Sequence, residues 1–259
     1  VSTRCESLHG LVFTTDLEGI GERVSAEGAV ADLAVVAGEP WEKASDSSPP
    51  LVTEWAERGR AIVLCVRGVG CFEVTRERVV VRSEPGARAD LVRLFARYHA
   101  LGLVLRLRGF VVLHGAAVSL GGEAHVWVGA SGAGKTSAAL EACAAGARFL
   151  ADEVVSLEAR GSAFVVRRGV PWPRVDAGAP ARLHALARGV EIERALEVPL
   201  AAVALPPAAA SGGASPNAAL RGAALAAQIL GGYRPELPPT SEEIALRSRV
   251  LAEVERLRR

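Results

Sequence analysis

The alternation of apolar and polar positions divides the chain into a β-rich beginning, one amphipathic helix and a mixed core. Ala61–Arg67, Cys71–Thr75 and Arg78–Arg82 are rich in Val, Ile, Phe and Cys, with turn material at Gly68-Val69-Gly70 and Arg76-Glu77. That pattern predicts an antiparallel meander. Ala31–Ala37 is a further short apolar run, and Asp46-Ser47-Ser48-Pro49-Pro50 reads as a loop. From Ala89 to Arg106, Leu91, Leu94, Phe95, Tyr98 and Leu101 recur at three- and four-residue intervals, the period of a helix with one buried stripe. The expected organisation is a small β-rich region over 1–87, a connecting helix over 88–108 and a nucleotide-binding domain over 109–259.

The third region opens with Phe110–Leu120 as a strand, a tight turn at Gly121-Gly122-Glu123 and a return strand over Ala124–Val128. A glycine-rich stretch, Gly129–Gly134, leads into a helix from Lys135 to Ala145, with Gly146 as its C-terminal cap. Phe149–Leu157 is the next strand and Ala163–Arg168 its hairpin partner. Beyond, Pro171-Trp172-Pro173 is a loop and Leu205–Pro216 a stretch rich in Ala, Pro, Gly and Ser. Ser215-Pro216 predicts a helix to Leu230, and the capping box Thr240-Ser241-Glu242-Glu243 a last one through Arg259.

Gly129-Ala130-Ser131-Gly132-Ala133-Gly134-Lys135-Thr136 matches G-x-x-x-x-G-K-[ST]. Glycines let such a loop wrap so that successive backbone N–H groups point at phosphate oxygens, and the helix behind adds its positive end. Lys135 is then placed to reach the β- and γ-phosphates of ATP, and the Thr136 hydroxyl to bind Mg2+. Of the 30 basic residues only Lys43 and Lys135 are lysine, so a chain that otherwise uses arginine has kept lysine where this motif needs it.

Asp152 and Glu153 interrupt an otherwise apolar strand. Neighbours in a strand point to opposite faces, so both cannot be buried against one core, and an unpaired buried carboxylate is costly. A strand that follows the loop's helix lies near the phosphates, which makes the metal and an incoming hydroxyl the natural partners of the two acids. His114, in the strand before the hairpin, reads on composition alone as a core histidine. Arg167, Arg168 and Arg174 stand downstream, where they either bind phosphate or an acidic acceptor or face solvent. Trp172 suits a contact to adenine or substrate as well as a loop anchor.

The order of these elements resembles the catalytic domain of HPr kinase/phosphorylase and the HPr-kinase-like proteins of peptide-modification gene clusters. The likeness consists of His114-Gly115, a short hairpin, Gly129–Thr136, one short helix and Ala151-Asp152-Glu153, spanning Arg108 to Arg168. It implies an α/β fold with a P-loop kinase core of the HPr kinase/carboxykinase type behind the mostly-β N-terminal region. It also implies that Asp152 is the general base toward a serine hydroxyl, that His114 holds or tunes that carboxylate, and that Lys135 keeps its phosphate role. Glu153 stands where the family has a second Asp, and would share the metal with Asp152 and Thr136. The family's arginine-containing phosphorylase signature is not found, so the reverse reaction is not expected. The N-terminal region looks more like the leader region of the HPr-kinase-like group than the regulatory domain of the HPr enzymes. Relatives of these kinases are often oligomeric, which leaves a homo-oligomer open here.

Composition narrows the partners. A formal charge of +1 over 259 residues gives no basic footprint for nucleic acid or an anionic membrane. Apolar runs such as Leu101–Leu107 fall far short of the roughly 20 residues that span a bilayer. Cys5, Cys65, Cys71 and Cys143 make no CxxC pair; Cys65 and Cys71, in apolar strands, are expected as buried free thiols, which fits a reducing cytoplasm. The chain begins at Val1 without Met and without a basic-then-apolar leader, so a trimmed start is expected, as is a further C-terminal strand past Arg259. The expectation is therefore an ATP- and Mg2+-dependent kinase acting on a peptide or small protein. A small-molecule kinase of the same fold and a nucleotide-gated binding module stand as alternatives.

Overall fold

The structure, a computed structural model, describes residues 4–25, 30–41, 51–56 (backbone only), 61–129, 132–161, 163–175, 177–204 and 206. The Asp46–Pro50 loop, Ala130, Ser131 and the stretch and helices expected from Pro207 onward lie outside them. The chain forms two compact units, Val1–Arg108 and Gly109–Arg259.

In the first unit, β1 (Arg4–Leu8), β2 (Leu11–Thr15), β3 (Glu22–Arg23), β4 (Leu33–Ala37), β5 (Leu51–Ala56), β6 (Ala61–Val66), β7 (Gly70–Val74) and β8 (Arg78–Ser83) make one sheet. Its order is β3-β1-β2-β4-β8-β7-β6-β5. Strands β6 to β8 are the meander the alternation implies, β5 extends it by antiparallel pairing with β6, and β4 joins β2 and β8 by parallel pairing. The helical segment runs as α1 (Ala89–Leu94), a π-helical stretch Phe95–Ala100 and α2 (Leu101–Leu107), all within this unit. Phe95 stacks on Phe72 of β7 with ring centroids 6.4 Å apart. The wide π turn breaks the 3.6-residue phase. Leu91 and Leu94 are accordingly only half-buried, while Leu101 to Arg106 are buried.

Cys65 and Cys71 are not free thiols: they form a disulfide. The residues are register partners in the β6–β7 ladder, with Cα atoms 4.1 Å apart. Reading the two strands separately concealed that register. Persistent disulfides belong to oxidising surroundings, so these cysteines lend no support to a reducing compartment. Among the described residues no helix is long and apolar enough to cross a membrane.

In the second unit β9 (Val111–Leu120), β10 (Glu123–Val128), β11 (Arg148–Arg160), β12 (Ala163–Arg167) and β13 (Glu197–Ala204) close into a barrel in the order β10-β13-β12-β11-β9. Only β10 and β13 pair in parallel. Helix α3 (Lys135–Ala144) lies outside it, and α4 (Ala181–Arg188) packs on α3 with Arg182 bonded to Glu141 at 2.7 Å. Strand β9 divides its side chains: Val111, Leu113 and Ala117 join the barrel core, while Ala116 and Val118 meet Ala139 and Phe149 beneath α3. Gly146 ends α3 with φ 103°, and the bonds Ala147 N–H to Ala142 O and Gly146 N–H to Cys143 O form a Schellman closure.

One buried group makes the first unit sensitive to acid. His9 and Gly10, with φ 56° and 73°, form the two-residue turn between β1 and β2. The His9 ring is 1% exposed; its Nε2 donates to Arg97 O at 3.2 Å, and Nδ1 finds no donor among the described residues. Burial, with the Arg97 charge adding to it and against the bond to Arg97 O, pushes its pKa down to about 4. Unfolded chains bind that proton near pH 6.5 and the folded unit does not, so stability is full above pH 6.5 and drains as pH falls toward 4. The loss should reach about 3 kcal/mol, from 1.36 kcal/mol per pH unit. Urea denaturation between pH 7 and 4 checks this: His9→Asn, which tolerates the left-handed backbone, should flatten that segment of the curve, and an unchanged slope rules the assignment out.

Candidate functional site: the carboxylate pair beside the glycine-rich loop

The loop after β10 reaches α3 through glycines that need their freedom: Gly132 has φ 78°, and Gly134, the residue that starts the helix, φ 86°. Gly134, the N-cap of α3, has no side chain to cap the helix start. Lys135 is 6% exposed and donates from Nζ to Gly129 O at 3.0 Å, folding back along the loop. Burial lowers its pKa, offset in part by the charges of Glu153 and Asp152.

Thr136 points the other way and donates to Asp152, 3.0 Å from Oδ1 and 3.2 Å from Oδ2. What brings Asp152 there is a bulge. The register of β11 on β9 slips between Phe149 and Ala151, so Phe149 packs under α3 while Leu150 and Ala151 both enter the barrel core. Regular alternation from Phe149 would have turned Asp152 into the barrel; the extra residue turns it toward the loop. Asp152 is 1% exposed and its carboxylate accepts from three donors, the Thr136 hydroxyl, the Glu153 N–H at 3.0 Å and the Arg174 N–H at 2.8 Å. Burial pushes its pKa up to about 6, with the Glu153 charge adding and the Arg174, Thr136 and Glu153 donors opposing.

Glu153 solves the problem that alternation poses for adjacent acids. Its φ is 65°, a left-handed conformation at a non-glycine residue within a strand. Instead of following its register partner Gly115, the Glu153 side chain turns to the same side as Asp152. Its carboxylate, 26% exposed, lies 3.5 Å from His114 Nδ1 and 3.8 Å from the Arg174 guanidinium. The same Nδ1 is 3.2 Å from Glu153 O, so the polar contacts of His114 are with Glu153. Such strain persists at sites where the surroundings enforce it.

His114, Lys135, Thr136, Glu153, Arg174 and Leu183 line one cleft of about 160 Å³. Drug-sized ligands fill pockets of roughly 300 Å³ and more, so this volume suits a terminal phosphate and a reacting group, with a nucleoside lying outside it. Among the described residues no three His, Cys, Asp or Glu side chains gather as a metal cage. Magnesium at a nucleotide needs no cage: one or two carboxylates suffice beside phosphate and water oxygens. The adjoining oxygens of Thr136 and Asp152 are such a donor set.

The anticipated residues Gly129, Gly132, Gly134, Lys135, Thr136, His114, Asp152 and Glu153 thus come together, with Ala133 in the loop itself and Ala130 and Ser131 outside the described residues. Two contributors went unrecognised in the sequence. Helix α4 supplies Leu183, and the main chain of Arg174, just beyond Pro171-Trp172-Pro173, ties down Asp152. Neither announces itself: α4 buries none of its residues, and a backbone N–H carries no sequence signature. No protein-family model matches the chain, and no curated protein matches it in sequence.

The strain at position 153 can be measured apart from the carboxylate. Glu153→Gly and Glu153→Ala lose the same side-chain contacts, so their difference isolates the backbone. The glycine variant should be the more stable by about 1 kcal/mol, the cost of a left-handed L-residue. Equal chemical-denaturation midpoints would mean that position 153 stores no strain.

Proposed function

We propose that the second unit is an ATP- and Mg2+-dependent kinase with a P-loop core of the HPr kinase/carboxykinase type, transferring the γ-phosphate to a serine hydroxyl of a peptide or small protein. The observation that carries this reading is the meeting, at one helix end, of Lys135 and Thr136 with two carboxylates in different states. One is sealed beside Thr136; the other is open to the cleft. The preference for a peptide acceptor rests on the likeness of His114-Gly115, Gly129–Thr136 and Ala151-Asp152-Glu153 to the HPr-kinase-like proteins.

Phosphoryl transfer asks for alignment and charge neutralisation. The loop amides and the α3 terminus hold the phosphates, and Lys135 swings from Gly129 O to the β- and γ-phosphates. Thr136 and Asp152 would hold magnesium, which when bound neutralises phosphate charge. The resemblance gives the base role to Asp152, but enclosure by three donors argues for a different division. Glu153 faces the acceptor and receives its proton as the new O–P bond forms and the bond from the γ-phosphorus to the β,γ-bridging oxygen breaks, releasing ADP. His114 orients Glu153 by bonding its main-chain oxygen.

Labelled ATP offered with serine peptides and with small hydroxyl compounds tests the reading. Transfer to peptides is expected, and absence of ATP turnover with every acceptor contradicts it. Glu153→Gln should lose transfer by about 10²- to 10⁴-fold, the range for a general base, with ADP–Mg2+ binding kept. Asp152→Asn should instead raise the magnesium concentration needed for nucleotide binding. Wild-type turnover in Glu153→Gln returns the base role to Asp152.

A further inference from the structure

Arg174 is attached in the cleft in two separable ways, through its main chain and through its side chain. Its main-chain N–H is bonded to Asp152 Oδ2 at 2.8 Å, which fixes the Cα beside the metal-side carboxylate. Pro171 and Pro173, each with a locked φ, stiffen the approach to that point. The guanidinium is not fixed in the same way. It is 46% exposed, lines the phosphate cleft opposite the start of α3, and reaches Glu153 Oε1 only at 3.8 Å, beyond hydrogen-bond distance.

A planar guanidinium in such a position has a better partner available than one half-exposed carboxylate. A phosphoryl group offers paired oxygens that arginine binds bidentately, and more negative charge than a single carboxylate carries. Entry of the terminal phosphate between Lys135 and Arg174 would draw the guanidinium off Glu153. That exchange does two things at once: it places a positive charge on the oxygens that gain charge in the transition state, and it leaves the Glu153 carboxylate to the acceptor hydroxyl.

Resting on the kinase reading above, we propose that Arg174 is a catalytic residue, an arginine finger supplied by the chain itself that clamps the transferring phosphoryl group and in doing so releases Glu153. The bonds made and broken are those of the transfer already described. The acceptor oxygen takes the γ-phosphorus, ADP leaves, the proton passes to Glu153, and Arg174 stays charged throughout.

The anchoring through the main chain makes the proposal testable without dismantling the site, because Arg174→Ala keeps the N–H that holds Asp152. Two measurements are made on the full chain. In the first, Arg174→Ala should lower the rate of phosphoryl transfer by about 10³-fold, the lower end for an arginine finger, with Arg174→Lys recovering part of it. In the second, binding of ADP–Mg2+ is compared with binding of ADP–Mg2+–fluoroaluminate, whose planar anion imitates the phosphoryl group in flight. Arg174→Ala should bind ADP–Mg2+ as wild type does and lose the added affinity for the fluoroaluminate complex. Undiminished transfer in the variant overturns the proposal, as does an equal loss for both complexes, which would make Arg174 a structural residue. If wild type turns over no ATP with any acceptor, the kinase reading fails by itself. The fluoroaluminate comparison still decides whether Arg174 grips a phosphoryl mimic, and a wild type that gains nothing from fluoroaluminate also overturns the proposal.

Discussion

The hydrogen bond from Thr136 to Asp152 is the constraint on which the site depends. It joins the first turn of α3 to the middle of β11, and through Asp152 it reaches the main chain of Arg174. Three segments separated in sequence thereby share one carboxylate. The cost is visible in the same place: burial raises the Asp152 pKa to about 6, so an ionised carboxylate is kept where ionisation is unfavourable. A dication beside Thr136 would relieve that cost.

The second constraint is steric. Consecutive acids in a strand should diverge, and here they converge because two departures from regular β structure stand three residues apart. The bulge at Leu150 turns Asp152 toward the loop, and the left-handed backbone of Glu153 turns the next side chain to the same side. The outcome is two neighbouring carboxylates with opposite accessibilities: Asp152 enclosed by donors behind the cleft, Glu153 open to it with His114 and Arg174 at its edges. Different environments for neighbouring acids are what a division of labour requires.

Much of this arrangement was legible in the residues, because local rules govern it. The β9–β10 hairpin, α3, its glycine stop and β11 all lie where alternation and turn chemistry put them, and the pair Asp152-Glu153 stood out against an apolar strand. What escaped was set by tertiary pairing. Strand β13 carries Pro199 and three alanines, a weak strand pattern, yet it closes the barrel by pairing with β10 and β12. The Cys65–Cys71 bond depends on a cross-strand register that the two strands, taken singly, do not reveal. The orientation of Glu153 depends on one dihedral angle that no residue type dictates, and the π turn in the first unit's helix shifts a burial stripe that residue spacing alone makes continuous.

The most direct measurement of the central claim is a crystal structure of the full chain with a non-hydrolysable ATP analogue and Mn2+ in place of Mg2+, since manganese is located by its anomalous signal. The account predicts the manganese peak between the Thr136 hydroxyl and the Asp152 carboxylate. It also predicts the terminal phosphate within hydrogen-bond reach of Lys135, and the Glu153 carboxylate free of the metal. A peak on Glu153 with Asp152 still enclosed by its three donors would contradict it, as would a nucleotide bound away from the start of α3.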